Sequence, residues 1–321
     1  MTAVEFSQLL QNIDTSAFLG NDCSPANIFL YQEQQQSSVF VHNQVLYRFF
    51  GNIQKGKHAK CAFPIPFKNS TDDFILNSID YLLKNYSILE FCLCTESQTK
   101  LIDNILNLHF PEYHIEWESD RSQSDYLYLQ QNLAQLQGQK YQKKKNHVLH
   151  FLKTYDNRWN FLHFIKTYEN HWNFLYFDKS TIDENIKKQI ILIEEKWFQE
   201  RNGSSFSELI AERNIIHNAV ENFEVLNMSG GLLYINNEPV AMTLASPISA
   251  SVLDIHFEKS LAEPAKNGAY AAINQLFAQN CNSYEYLNRE EDLGIPGLRK
   301  AKLSYKPDII LDKFSGILQK K

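Results

Sequence analysis

The spacing of apolar residues changes several times along this chain, and each change marks an element. Helical spacing over residues 4–13 opens it, and strand-like runs follow at 38–42, 45–50 and 60–63. Asn43-Gln44, between the first two runs, predicts a hairpin turn. Thr71 or Asp72 is placed to cap a helix ending at Asn85, and Ser97 to cap another reaching Phe110. Between those helices, 88–94 reads as a buried strand, and 114–117 alternates like an edge strand. Residues 118–125 are polar and without period, which predicts a linker and hence domains of 1–120 and 121–321.

Beyond the linker, LAQLQGQKYQKKKNHVLHFLKTY predicts a helix interrupted or capped near Gly138. Thr181-x-x-Glu184 is a capping box for a helix to about Arg201, and a second helix is expected over 205–223. Runs at 228–235 and 239–245 flank the hairpin signature Asn236-Asn237-Glu238, and 252–257 adds a third strand. A helix over 264–281, a strand over 284–288, a short helix and a strand over 309–314 complete the pattern. One internal repeat interrupts it. HFLKTYDNRWNFL at 150–162 is followed directly by HFIKTYENHWNFL at 163–175, identical at ten of thirteen positions. Thirteen residues turn a helix by about 220°, so the second copy cannot extend the same helical face. A local duplication that lengthens a helix or loop is expected, with Trp159 and Trp172 packing.

Composition narrows the class. A chain of 321 residues has room for two cores, and 22 Phe with 16 Tyr mark an ordered globular protein. The net charge of −6 argues against a surface that binds nucleic acid throughout. The one basic cluster is Lys140, Lys143, Lys144, Lys145 and His147 on the predicted helix, where a solvated face and a phosphate-binding face are both open readings. Five scattered cysteines, with Cys92 and Cys94 in an apolar run, read as buried thiols, and no metal is expected. No signal peptide and no run of eighteen apolar residues is read, so a cytoplasmic protein without an integral membrane segment is expected.

Candidate chemistry concentrates in YEYLNREEDLGIPGLRKAKLSYKP, residues 284–307. As a strand, its start puts Tyr284, Tyr286, Asn288 and Glu290 on one face and Glu285, Leu287 and Arg289 on the other. Asp292-Leu-Gly-Ile-Pro-Gly is turn chemistry. Pro296 suits the first helical position, and Pro307 stops the helix. On that helix Leu298, Ala301 and Tyr305 share a face, and Arg299, Lys302 and Lys306 line the next. An ion-paired helix cap and a functional cleft both fit this density of charge.

The string N-R-E-x-D-x-G-x-x-G-L-R-x-x-K-x-S-Y-x-P, present as Asn288, Arg289, Glu290, Asp292, Gly294, Gly297, Leu298, Arg299, Lys302, Ser304, Tyr305 and Pro307, resembles soluble bacterial proteins related to the C-terminal aminoacyltransferase domain of phosphatidylglycerol lysyltransferase. G-x-K-x-x-K-K-x-N-H, ending in Asn146 and His147, is similar to that family's basic motif. Residues 22–29 and 125–130 also follow its pattern. The resemblance implies an α/β (α+β) fold of two tandem acetyltransferase-like (GNAT) domains, each a mixed sheet flanked by helices. The first half is expected to wall one side of a cleft.

The same resemblance implies an acyl- or aminoacyltransferase whose donor is aminoacyl-tRNA or acyl-CoA. The acceptor is then a small amine, a hydroxyl or a lipid head group. A coenzyme loop would align with 265–270, where Gly268 is kept but the basic first and small last residues are not; Gly268, Tyr270 and Asn274 are its candidate contacts. Glu258 is the first candidate base, with Glu290 and Asp292 as alternatives, and Tyr305 as proton donor. Lys140, Lys144, Lys145, Asn146, His147, Asn288, Arg289, Arg299 and Lys302 are the candidates for substrate or phosphate binding. The rival reading is a non-catalytic protein that binds an anionic ligand or tRNA. No Ser/His/Asp pattern is visible, and His256 reads as structural.

Overall fold

The computed structural model describes residues 3–10, 12–51, 57–155, 171–201 and 206–321. They form two compact units, one of 1–127, 290–300 and 309–321, the other of 128–289 and 301–308. The chain therefore passes between units at four places, where its composition suggested one boundary at 120/121.

Unit 1 is a mixed sheet with helices. Its strands run in the order Ser37–His42, Val45–Phe50, His58–Cys61, Ile88–Thr95, Lys313–Lys320, Tyr113–Ile115. The His58–Cys61 and Ile88–Thr95 strands are parallel, and the other neighbours are antiparallel. The first hairpin closes as predicted, with Asn43 and Gln44 at φ 49° and 61°, the paired left-handed conformations of a tight two-residue turn. The helix caps differ from expectation. Asp73 precedes the Phe74–Asn85 helix without a side-chain bond, and Thr95 precedes Glu96–His109, where the Gln98 side chain accepts the Thr95 N–H at 2.8 Å. Nor is 118–125 an open linker: Glu118–Ser119 pairs with the Lys313–Lys320 strand, and Ser124 and Asp125 are fully buried. Polarity there serves pairing and buried bonds, which composition does not distinguish from solvation. The Asp125–Leu129 strand begins in this unit, paired antiparallel with Ile309–Leu311.

In unit 2 the strand order is Tyr286–Asn288, Val252–Ser260, Glu238–Pro247, Ser229–Ile235, Trp172–Asp178, with only the first pair parallel. Asn236 and Asn237, at φ 52° and 65°, make the expected hairpin turn. Consecutive strand residues face opposite ways. Glu258 reaches Asn274 on the Ala269–Asn280 helix, while Lys259 reaches Glu194 on Glu184–Glu200 and Glu212 on Phe206–Glu221. The sheet thus lies between two helical layers. One apolar cluster joins Phe151 of the Gln142–Tyr155 helix to Leu233, Val240, Ala241 and the helix residues Ala272 and Ile273.

Two helical expectations are refined. The 264–281 helix is split into Ala262–Lys266 and Ala269–Asn280 at Gly268, φ 98°. A Cβ there would stand 2.3 Å from the His147 carbonyl oxygen, so only glycine lets the two helices meet. The Glu184–Glu200 helix is capped by Asp183, which accepts the Ile186 N–H, while Thr181 turns back to Asp178. The repeat divides between element types. Residues 150–155 of the first copy finish a helix, and 172–175 of the second begin a strand, where Trp172 packs edge-on against Phe151 at 5.9 Å. Trp159 lies outside the described residues.

Candidate functional site

Glu258 lies opposite Thr243 in the ladder of the Glu238–Pro247 and Val252–Ser260 strands, so both side chains leave the same face. Two groups hold its carboxylate: Asn274 Nδ2 donates to Oε2 at 3.0 Å, and Arg289 Nη2 donates to Oε1 at 3.0 Å. The pair is nearly closed to solvent, with the Glu258 and Arg289 side chains 10 % and 14 % exposed. Arg289 is placed by the Tyr286–Asn288 strand it follows, by the Lys302 ammonium donating to its carbonyl, and by two rings. Its guanidinium carbon lies 4.7 Å from the Tyr305 centroid and 5.8 Å from that of Tyr128. Tyr128 is fixed in turn by donating to the Lys302 carbonyl at 2.8 Å.

Lys144 comes to the same group from the Gln142–Tyr155 helix, its ammonium 3.8 Å above the Tyr305 ring. Burial, and then the neighbouring Arg289 charge, pull its pKa down to about 8, against the opposing pull of Glu258. Burial raises the Tyr305 phenol, so it stays protonated and its ring serves as the platform shared by two cations. Three polar atoms on and beside Glu258's partners remain buried without a hydrogen-bond partner: Arg289 Nη1, Asn274 Oδ1 and Thr243 Oγ1. Leaving such groups unpaired costs about 1–3 kcal/mol each. A donor and an acceptor left over on the two residues that hold one carboxylate fit a ligand carrying both a carbonyl or anionic oxygen and an N–H or O–H.

Other candidates are placed elsewhere. Asp292, fully buried in unit 1, accepts four bonds: Tyr126 hydroxyl at 2.5 Å, Arg299 Nε at 2.7 Å, Arg299 Nη2 at 2.9 Å and the Gly294 N–H at 2.9 Å. Its bonds to Arg299 hold its carboxyl well below the usual range. Asp292 and Arg299 thus form the ion-paired helix cap that was one of the two readings of this stretch. Glu290 accepts from Asn27 Nδ2 at 3.3 Å in the same unit, and Asn288 is buried in the ladder opposite Asp254. Lys140, Lys145, Asn146 and His147 are exposed, with Asn146 bonded to Gln142. Gly268 meets helix backbone, and the Tyr270 hydroxyl accepts from Trp197 Nε1 at 3.4 Å.

Sequence reasoning missed several partners. Thr243 was recoverable, since the predicted hairpin and third strand already set it near Glu258. Ser246 Oγ lies 2.8 Å from His256 Nε2, with Asp254 Oδ2 at 3.6 Å from Nδ1, an arrangement hidden because a bulge in the same two strands brings them together. Ser246 and Asp254 are at most 1 % exposed, so this group is closed to solvent. In unit 1, Lys313 is buried against Asp22 and, at 2.7 Å, Asp125, while Asn21 Nδ2 donates to Glu291 Oε2 at 2.8 Å. Burial pushes Glu291 up to about 7, with Lys313 opposing and Glu290 adding to the rise.

Residues 173–315 match the family model described as phosphatidylglycerol lysyltransferase, C-terminal, which is the family the sequence resembles. A conserved protein of unknown function from Bacteroides thetaiotaomicron VPI-5482 is 28 % identical, with TM-score 0.79 over 99 % of this chain and 98 % of that one. The C-terminal domain of a candidate lysylphosphatidylglycerol synthetase from Agrobacterium fabrum superposes at TM-score 0.59 with 10 % identity, covering 98 % of this chain and 92 % of its own. No curated protein matches the chain. The mixed α/β fold expected from the sequence, with two mixed sheets and flanking helices, is the fold observed. Among the described residues no helix is long and apolar enough to cross a membrane.

Proposed function

We propose that this chain is an acyl- or aminoacyltransferase working around Glu258. The observation that carries the reading is the set of buried, unpartnered atoms on Arg289, Asn274 and Thr243, beside a lysine able to lose its proton near neutral pH. The match to a lysyltransferase C-terminal family supports the same class.

In the proposed reaction the donor's carbonyl oxygen accepts from Arg289 Nη1, which steadies the oxyanion as the tetrahedral intermediate forms. The acceptor amine or hydroxyl gives a hydrogen bond to Asn274 Oδ1. Its proton passes to neutral Lys144 as the new bond to the acyl carbon forms. When the intermediate collapses, the bond to the leaving group breaks and Lys144 returns the proton to it. Glu258, holding both Asn274 and Arg289, positions the two recognition groups. Tyr305 keeps Lys144 and Arg289 in place.

The donor we favour is aminoacyl-tRNA over a coenzyme. The turn at Gly268 is filled by the His147 carbonyl, and Lys140, Lys143 and Lys145 present an exposed basic face on the same helix region. A small amine, a hydroxyl or a lipid head group is the proposed acceptor, and the cytoplasm, where charged tRNA is found, the proposed location. The test is transfer from a pool of aminoacylated tRNA, and separately from acetyl-CoA, onto amine and hydroxyl acceptors. Expected is turnover whose rate rises with pH through about 8 and a Lys144→Met variant that loses that limb. Equal turnover by wild type, Lys144→Met and Glu258→Gln would overturn the assignment.

A further inference from the structure

Three charged side chains of unit 2 meet around one ring, and their charges do not balance. Arg289 and Lys144 both stand over Tyr305, the guanidinium carbon 4.7 Å and the ammonium 3.8 Å from the ring centroid, and Glu258 supplies the carboxylate. Each of its oxygens already accepts a bond, Oε1 from Arg289 Nη2 and Oε2 from Asn274 Nδ2. Among the described residues no carboxylate forms an ion pair with Lys144. One of the two cations is therefore in excess. The lysine is the one that can give way, because a guanidinium keeps its charge throughout the ordinary pH range. Burial opposes the ammonium first, the Arg289 charge next, and Lys143 beside it on the Gln142–Tyr155 helix adds to both; together they outweigh Glu258 and bring Lys144 down to about 8. His147, on the next turn, meets the same pressure, lowered by burial and then by Lys144 and Lys143.

A neutral amine is a nucleophile and an ammonium is not, since protonation occupies the lone pair that would attack. An amine that titrates at about 8 is about a quarter neutral at about pH 7.5, against about one part in a thousand for a lysine at its ordinary value. Lower basicity weakens each neutral amine somewhat, as it does for thiols, and leaves an advantage of about tenfold. Lys144 is half-buried and within reach of a small reagent, while Lys143 and Lys145 on either side are exposed.

We infer that Lys144 is a self-acylation site, where the amine held over Tyr305 takes an acyl group from an activated ester or thioester and keeps it as an amide. The N–C bond forms as Nζ attacks the acyl carbon, the C–O or C–S bond of the ester breaks, and the proton lost by nitrogen leaves with the alcohol or thiol. Nothing is oxidised or reduced. The amide carries no charge and takes up no proton at neutral pH, so the modified chain loses both the cation over Tyr305 and the base of the proposed reaction. As base, Lys144 gives its proton back; as nucleophile it is consumed, and an activated donor that finds no acceptor shuts the site. That consequence for turnover rests on the proposed reaction, whereas the reactivity of the amine does not.

The experiment exposes the full wild-type chain to a sub-stoichiometric amount of phenyl acetate, and separately of acetyl-CoA, and reads the acetylation of each lysine by peptide mass spectrometry. Expected at about pH 7.5 is Lys144 labelled about tenfold faster than Lys143 or Lys145, at a rate that rises through about pH 8 and then levels. A preference with phenyl acetate alone assigns oxoester donors, with acetyl-CoA alone thioester donors and with both either class, and each supports the site. In denaturant the preference should vanish, since the fold and not the run of lysines creates it. Equal labelling of Lys143, Lys144 and Lys145 by both reagents overturns the inference, and so does a preference that survives denaturant. Neither outcome requires turnover. A chain that transfers nothing would sink the proposed reaction and leave a labelled Lys144 standing, and transfer with an unreactive Lys144 would do the reverse.

Discussion

Asp292 and Glu258 are both carboxylates bonded to an arginine, and what separates them is what each cluster leaves over. Around Asp292 four bonds fall to fixed partners within one turn and the strand residue Tyr126, one buried atom beside it, Arg121 Nη1 at 3.7 Å, makes no hydrogen bond, and the carboxyl is strongly favoured in its charged form. Around Glu258 two bonds are made, while Arg289, Asn274 and Thr243 each have a buried polar atom without a hydrogen bond, and burial pulls the pKa of nearby Lys144 down to about 8. Completed bonding is what architecture needs, because every unpaired buried group subtracts from stability. Incomplete bonding in a nearly dry place is tolerated where a ligand supplies the missing partners.

The sharpest test exchanges the two carboxylates for amides. Glu258→Gln should lower transfer about a hundredfold, measured as kcat/KM, since it disturbs the groups proposed to meet the substrate. Its melting temperature should fall as well, because the buried Arg289 guanidinium loses its charge partner, so the rate is compared on the folded variant. Asp292→Asn should leave transfer near wild type while costing about 2 kcal/mol or more in denaturant unfolding, because it removes the charge that a bidentate guanidinium requires. If the two variants exchange these effects, the division between architecture and chemistry is wrong.

A weaker effect sharpens the comparison within unit 1. Glu291, raised to about 7 by burial, holds a proton in the folded state that the unfolded chain has lost above its ordinary value of 4.5. Stability from this group therefore falls as pH rises from 4.5 towards 7 and then levels. Glu291→Gln should remove that slope, so thermal melts should show the variant gaining on wild type between about pH 5 and about pH 8. A constant difference would mean that Glu291 titrates alike in both states.

The smallest effect concerns a change that touches neither carboxylate. Deleting residues 156–168 joins the helical part of the first repeat copy to the strand part of the second and leaves one unit reading HFLKTYENHWNFL. Cutting the connection between Tyr155 and Trp172 from sixteen residues to three alters closure entropy by roughly 1.5 kcal/mol, in the direction that favours folding, so unfolding midpoint and transfer should both persist. Loss of either would give the duplication a role in one of the two clusters.

Period and turn chemistry by themselves determined both asparagine-bearing hairpins, the broken helix near Gly138 and the longer helices, because these depend on neighbours a few positions apart, whereas the strands Asp125–Leu129 and Trp172–Asp178 and the helix Pro25–Leu30 were not among the expected elements. Local capping was less legible. Thr71, Ser97 and Thr181 all had the right chemistry within three residues of where the helices start, yet the cap positions fell to Asp73, Thr95 and Asp183. Tertiary structure alone decided which charged residues of 284–307 stand together. Arg289 turns to Glu258 and Tyr305, Arg299 to Asp292, although only nine residues of one strand-to-helix stretch separate the two arginines. The reason is physical: a side chain's pKa and its unsatisfied bonds are set by groups that reach it from distant parts of the chain, and no spacing along the sequence encodes that distance.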